Sequence, residues 1–496
     1  MTTLDNSQDQ DTALFNTTPY EEPKPPGSGR LMKIMTVVGS VALIWIAFTS
    51  FQESRTLVSK ELLGEMSIWF TLPFAALITV VALSYIYKTL LWAKYRPMEG
   101  ATLKEEELPN ITVVIPAYNE GPMVQKSILS AIESDYPADK LNVICVDDGS
   151  EDDTFLYMER ARGQNPSRIT TLTLGKNQGK RHALYAGMER ATGEIIITLD
   201  SDSVLPKDSI RNLIAPFVLD GDTGAVAGSV RVYNRYRTVI TRMLGVRYIL
   251  GFDYIRAYQS ELKTVFCCPG AFSAYRASVI RPHLDGWLNQ TFLGNRCTNG
   301  DDHALTNVVL KEQKAVRYQS NAPVYTIVPG RYRALCRMYT RWARSNIRES
   351  WNYLKFSANR AVSRKEGLAF VDGIVHAIHI PIRLYLLPFS WYLLISDMGL
   401  VVKSMAVATV VSAIYALFFY RSEKSTESLY GVIYGWFAFI GLQWIYPLAA
   451  VTVSQNQWMT RNLSRVQRGQ STSGSIPTLT ATSLSLVETT TLDTHH

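Results

Sequence analysis

The stretch Ile195-Ile196-Ile197-Thr198-Leu199-Asp200-Ser201-Asp202-Ser203 constrains this chain more than any other. An apolar, β-branched run that stops at two aspartates one residue apart predicts a strand buried on both faces of a parallel sheet. Open α/β sheets take ligands at the carboxyl ends of their strands, and here that end carries two oxygen ligands. Asp-x-Asp suits a hard divalent cation, Mg²⁺ or Mn²⁺, which prefers carboxylates and shares itself with substrate phosphates. Taken alone, the motif reads equally well as an acidic turn after a core strand.

The flanking sequence has the same rhythm. Ile111 to Pro116 predicts a strand, Met123 to Ser134 a helix, and Asn142 to Val146 a strand ending in Asp147-Asp148-Gly149-Ser150. Gly179-Lys180-Arg181 leads into a helix over His182 to Thr192, and Ala225 to Tyr233 continues the sheet. Strands alternating with helices predict an α/β domain with a mostly parallel sheet.

With 496 residues the chain exceeds one domain, and long apolar blocks segregate from a polar middle. Residues 1–29 are polar, end in Pro25-Pro26-Gly27-Ser28-Gly29, and are expected to be disordered. No cleavable signal peptide is expected, because the first apolar run starts late. Residues 30–97 hold two runs, Leu31–Phe51 and Ile68–Trp92, each long enough to span a bilayer. Arg30 and Lys33 at the start of the first, with Lys88, Lys94 and Arg96 around the end of the second, predict a hairpin with both ends cytoplasmic. The α/β domain, 98–330, is then cytosolic. Residues 331–368, like Arg235–Leu262, mix aromatics with spaced arginines and predict amphipathic helices in the membrane interface, a surface helix being the plainer alternative. Residues 369–455 carry the apolar blocks Phe370–Met398, Leu400–Tyr420 and Leu429–Val453, for five or six spans in total and a multi-pass plasma-membrane protein. Residues 456–464 form a loop, and 465–496 a Ser/Thr-rich tail expected to be disordered. The net charge of +7 fits positive-inside loops, and no nucleic-acid-binding motif is present. Five cysteines without zinc or disulfide spacing predict reduced thiols.

Several charged clusters fall where the carboxyl edge of such a sheet should lie. Asp147 and Asp148 end one strand, Asp200 and Asp202 another, Gly300-Asp301-Asp302 opens a helix, and Gly179-Lys180-Arg181 places cations at a helix N-terminus. Carboxylates, a metal and basic residues around one cleft suit a nucleotide diphosphate.

In this order, and with Arg341-Trp342, these motifs resemble the processive family 2 glycosyltransferases: cellulose, chitin and hyaluronan synthases and rhizobial chitooligosaccharide synthases. The likeness is nearest to hyaluronan synthases in Gln259–Tyr275 with Cys267-Cys268, in Trp287–Gly294, in Gly300-Asp301-Asp302 with Leu305-Thr306-Asn307, and in Arg341–Ser345 with Arg348-Glu349. Trp458-Met459-Thr460-Arg461 is similar to the family's gating loop after the last span. The resemblance covers about residues 110–465 and implies a GT-A-like domain on interface helices against a membrane bundle. Three positions depart from the hyaluronan synthase pattern: Met338 stands for the usual glutamine, His303 for the common arginine, and Pro269-Gly270-Ala271 for a Ser-Gly-Pro-like stretch. All three bear on the product more than on the reaction type.

The resemblance implies roles. Asp200 and Asp202 hold Mg²⁺ or Mn²⁺, Asp147 the nucleoside, Lys180 and Arg181 assist at the diphosphate, and Trp458, Thr460 and Arg461 close over the nucleotide. Asp302 takes the proton from the acceptor hydroxyl. Trp342 offers a ring face to the acceptor sugar, Arg341 reaches the diphosphate or the base, and Cys267, Cys268 and Gly270 leave room at the acceptor. One base opposite one leaving group implies inversion. Asp301 and His303 read as helix-start residues without catalytic roles, and the cysteines as small packing residues rather than nucleophiles. The expected partners are UDP-GlcNAc, UDP-GlcA as second donor, a growing polysaccharide and the lipid bilayer. The expected product is hyaluronan-like and secreted through the enzyme's own channel. The alternatives are a single-donor chitin- or β-glucan-type synthase, a non-processive transferase on a lipid acceptor, or a transporter with a regulatory nucleotide-binding domain.

Overall fold

A computed structural model of the chain describes residues 83–378, 398–423 and 425–455, with isolated positions between 34 and 49 and at 380 and 384. The chain divides into two units, Met1–Met459 and Thr460–His496, and every described residue lies in the first.

Eight strands form one sheet in the order β3-β2-β1-β4-β7-β6-β10-β5. They are β1 (Ile111–Ala117), β2 (Leu141–Asp147), β3 (Ile169–Thr173), β4 (Ile195–Leu199), β5 (Ser203–Val204), β6 (Thr223–Val232), β7 (Phe272–Arg276) and β10 (Ala315–Thr326). A two-residue pair, β8 (Thr291–Phe292) and β9 (Asn295–Arg296), forms a separate hairpin. β1, β2, β3 and β4 run parallel, and β6 runs parallel to β10. The sheet is therefore mostly parallel, and every residue of β1 and β4 is buried, in keeping with mostly apolar sequences broken only by Thr112 and Thr198. One feature departs from the expected βα alternation. β7 inserts antiparallel between β4 and β6.

From β1 the chain moves to β2 on one side, then returns to β4 on the other, so the strand order reverses between β1 and β4. The β1–β4 ladder stops at Val114, while β1 stays paired with β2 to Ala117. Pro116, which has no N–H to give, therefore sits where β1 is paired on one side only. The sheet opens at this point, and the Asp-x-Asp lies on its lip.

Helices flank the sheet: α1 (Met123–Ile132), α2 (Thr154–Gln164), α3 (Lys180–Arg190), α4 (Ser209–Leu219), α5 (Val239–Ile249) and α6 (Asp301–Lys311). α5 runs on through a π-helical turn, Leu250–Arg256. α7 (Tyr332–Arg364) spans 33 residues and is followed by α8 (Met398–Glu423), α9 (Leu429–Gly441) and α10 (Ile445–Val451). Two satellite cores join the layers: Met243, Val246 and Ile249 of α5 meet Phe419 and Tyr430, and Cys336 and Ala343 of α7 meet Leu442, Ile445 and Ala449.

The expected bundle of five or six spans is not reproduced. Among the described residues no single helix is long and apolar enough to cross a membrane; the pair Thr426–Gly441 and Ile445–Val451, bent by 51°, passes that test only together. Most of Leu31–Phe51, Ile68–Trp92 and Phe370–Met398 lies outside the described residues.

Candidate active site

The carboxyl ends of β2 and β4, the first turn of α3 and the first turn of α6 meet at the opening between β1 and β4. At the end of β2, Asp147 is buried and accepts from Ser150 N at 3.1 Å and Thr173 Oγ1 at 3.0 Å. Asp148 takes the N–H groups of Gln178 and Gly179, each at 2.8 Å, and so fixes the approach to α3. Burial pushes its carboxyl above the ordinary range.

α3 then begins with Lys180, whose ammonium is ion-paired with Asp200 and lies 4.0 Å from Asp301. Burial works against that charge, but Asp200, Asp301 and Asp302 outweigh it and hold the lysine above its usual range. Asp200 is itself raised, by burial first and then by Asp202, despite the lysine. Asp202 accepts from Ser203 Oγ at 3.4 Å and Thr326 Oγ1 at 3.3 Å.

This pair suits a divalent metal. Two carboxylates from one strand end repel each other and offer the all-oxygen donors that Mg²⁺ and Mn²⁺ prefer. Among the described residues no group of three or more His, Cys, Asp or Glu gathers to hold a metal.

Asp302 is the second residue of α6. One carboxylate oxygen accepts from His303 N at 2.8 Å, the other from Gly270 N at 3.1 Å. Burial, then Asp301, raises its carboxyl, with Lys180 opposing. Gly270 lies close to both groups: a Cβ there would sit 3.0 Å from Lys180 Nζ and 3.8 Å from Asp302 Oδ2. One loop thus lies between the cation of the Asp-x-Asp site and the candidate base.

Cys268 is fully buried and Cys267 partly so; both are unpaired, and burial raises both thiols, that of Cys268 to about 12. Trp342, on α7, is 43% exposed and tilts against Tyr339 at 5.6 Å and Tyr248 at 6.0 Å between ring centroids. Tyr248 meets Phe252 in turn, so the ring is one member of an aromatic strip. Arg341 is half-buried beside it on α7.

Arg181 does not join the cluster. Its guanidinium donates to Trp287 O at 3.0 Å, Gln290 Oε1 at 3.1 Å and Asn299 O at 3.4 Å, and it lies over the Trp287 ring at 5.2 Å. The cation expected at the diphosphate is spent on the scaffold, and Lys180 alone of that pair faces the carboxylates. His303 is buried, and burial lowers its ring to about 4, so the position holds a neutral group. Trp458, Thr460 and Arg461 lie outside the described residues.

Sequence reasoning did not assign roles to Asn299, Gln290, Asn307, Arg348 and Glu349, which form one buried network beneath α6. Glu349 accepts from Gln290 Nε2 at 3.0 Å, Asn307 Nδ2 at 3.1 Å, Asn352 Nδ2 at 3.2 Å and Arg348 Nε at 2.8 Å. Arg348 also reaches Asn299 Oδ1 at 3.2 Å and the Asn299 carbonyl. The available signal was an adjacent Arg-Glu pair inside a long helix.

Residues 112–284 match the profile of "Glycosyl transferase family 2". The chain is 31% identical over 322 residues to an N-acetylglucosaminyltransferase of Rhizobium meliloti (strain 1021), covering 61% of this chain and 75% of that one. It is 33% identical over 290 residues to an N-acetylglucosaminyltransferase of Mesorhizobium japonicum, covering 58% and 68%. Among solved structures it is similar to the mannosyltransferase PcManGT of Pyrobaculum calidifontis in complex with GDP-Man and Mn²⁺, at 19% identity, a TM-score of 0.47 and coverage of 74% and 98%. The chain belongs to glycosyl transferase family 2 and is a glycosyltransferase with a GT-A-like α/β domain.

Proposed function

We propose that the enzyme transfers GlcNAc from UDP-GlcNAc, with inversion, onto a growing β-linked glycan, and does so processively at a membrane. The observation that carries the reading is the placement of Asp302. Its carboxylate sits across Gly270 from Lys180 and Asp200, so a base and an anion-handling group face one small space. The sugar identity rests on the relatives, which are named N-acetylglucosaminyltransferases.

In this mechanism Asp200 and Asp202 would hold a divalent cation, which would supply charge neutralisation at the departing diphosphate. Lys180 turns its ammonium toward the same phosphates. Asp147 and the backbone at Ser150 shape the floor of the nucleoside site. Asp302, made more basic by burial and by Asp301, accepts the proton of the acceptor hydroxyl as that oxygen forms its bond to the anomeric carbon. The bond from that carbon to UDP breaks on the opposite face, giving a β-linkage from an α-linked donor. Trp342 provides the apolar face on which the acceptor ring lies. Apolar side chains exposed on α8, α9 and α10, among them Val410, Ile414, Ile440 and Val451, favour a bilayer around this end of the molecule.

A single donor fits the site better than the alternating donors of a hyaluronan synthase. A uronate carboxylate loses hydration on binding and needs a cation in exchange. Arg181 and Arg348 are committed to Asn299, and Arg256 to the Cys267 carbonyl at 3.0 Å and the Phe252 ring at 3.9 Å. His303 is neutral where the resembling synthases commonly carry arginine. The test is incorporation of labelled GlcNAc by purified protein in vesicles, with and without UDP-GlcA. Chitinase-sensitive polymer from UDP-GlcNAc alone is expected. A requirement for UDP-GlcA restores the two-donor reading, and short lipid-linked products favour a non-processive transferase.

A further inference from the structure

We infer that the Arg348–Glu349 pair of α7 is a positioning device that sets Asp302 relative to the acceptor platform; this rests on Asp302 being the base. The two residues lie seven and eight positions after Arg341, two turns further along one rigid helix. Both are buried, at 2% and 0% exposure. A buried ion pair is weak evidence for stability, because desolvating both charges offsets most of their attraction. Its partners here lie on the loop that launches the base rather than in a general core.

The chain reaches Asp302 through Asn299 and Gly300. Arg348 grips Asn299 at both its carbonyl and its side-chain oxygen, a two-point hold that a planar guanidinium makes and an ammonium does not. Gly300 follows at φ +71°, and a Cβ there would fall 2.0 Å from Ser345 Oγ and 2.8 Å from Arg348 Nη2. The backbone is thus pressed directly onto α7 two residues before the base. Glu349 neutralises Arg348 and receives amides from both sides of the loop: Gln290 ahead of it, and Asn307 on α6 beyond it. From the other side Arg181 donates to the same Asn299 carbonyl, and Trp287 Nε1 donates to Asp301 O at 2.9 Å. Arg181 follows Lys180, so one node joins the start of α3, the base loop and the helix of Arg341-Trp342. The hold fixes the Asp302 loop to the helix that carries Trp342.

The test is a double-mutant cycle on the full-length enzyme in vesicles, reading kcat, KM for UDP-GlcNAc and UDP affinity for Arg348→Gln, Asp302→Asn and the double variant. Arg348→Gln alone is expected to lower kcat by about 10²-fold, the cost of ~1 Å of misplacement, with KM and UDP affinity within about twofold of wild type. In the Asp302→Asn background the same change should cost less than about threefold, because no base remains to be positioned. Arg348→Lys, keeping charge without the fork, should fall between. If Arg348→Gln does not fold, the cycle is run with Glu349→Gln, which preserves shape. Equal losses in both backgrounds, or a loss that appears in KM and UDP affinity, overturn the inference and leave the base assignment standing. Full activity of Asp302→Asn overturns both.

Discussion

Two buried charge clusters meet at the opening of α6, and they are wired in opposite ways. On the sheet side, Asp200, Asp202, Asp301 and Asp302 crowd around Lys180, and burial raises Asp200 and Asp302 even with that cation present. On the α7 side, Glu349 is more deeply buried, yet Arg348 and the hydrogen bonds from Arg348 and Asn352 outweigh burial and hold its carboxyl below the usual range. The first cluster has more negative charge than it can neutralise, so a metal, a proton or a cationic transition state is welcome there. The second satisfies its charges internally and gains nothing from a ligand. The brace is the more buried of the two, its Arg348 and Glu349 side chains exposed by 2% and 1% against 21% and 29% for Lys180 and Asp200; the ratio of cations and amide donors to carboxylates separates a reactive site from a brace.

The comparison can be broken most directly by withholding the divalent cation that the first cluster calls for. Exhaustive chelation should abolish turnover, and Mn²⁺ or Mg²⁺ should restore it, with Zn²⁺ inferior at an all-oxygen site. UDP release measured before and after re-addition checks this, and full activity without metal would show that Lys180 alone suffices. Next in size, Asp302→Asn should lower kcat by roughly 10²–10⁴-fold while UDP still binds. In the wild type the acid limb of kcat against pH should lie above the ordinary carboxylate range, because Asp302 must lose its proton to act and its pKa is raised. A limb near the value of a free carboxylate would place the base elsewhere. Smaller again, Gly300→Ala forces a Cβ into Ser345 at a positive φ and should cost about 2 kcal/mol of stability. Gly300→Ala with Ser345→Gly should recover part of the loss in thermal denaturation, since the nearest clashing atoms are then gone.

Where sequence and structure agree, one local pattern sufficed. The mostly apolar runs of β1, β2 and β4 read as strands of a parallel sheet, and Asp147-Asp148 and Asp200-x-Asp202 fall at the carboxyl ends of β2 and β4. β7 was not legible: five residues, Phe272–Arg276, carry no period long enough to separate strand from loop, and their antiparallel insertion is decided by β4 and β6. Lys180 and Arg181 are adjacent and alike in charge, so sequence assigned them one task. The helical rotation of about 100° between neighbours sends the first to Asp200 and the second to Trp287 and Asn299. The Arg348–Glu349 node could not be read for a related reason, because its partners come from segments about 40 to 60 residues earlier.

The smallest effect tests the contrast most sharply, because its sign differs between the clusters. Asp302 has a raised pKa in the folded protein, so between its unfolded and folded values the native state binds more protons and stability falls as pH rises. That penalty is absent below the usual carboxylate pKa of about 4 and complete above the folded value. Asparagine never ionises, so Asp302→Asn should gain on wild type as pH is raised. Its amide must meet the N–H of His303 or Gly270, but that conflict is a constant offset and leaves the slope untouched. Glu349 runs the other way: its depressed pKa contributes stability that is present above the unfolded value and lost as pH falls through the folded one. Glu349→Gln should therefore be less stable than wild type at neutral pH and converge with it in acid. The shifts in Tm, a few degrees at most for each kcal/mol, are measured as difference curves from pH 3 to 8. Slopes of the same sign would mean that the two clusters do not differ in charge balance.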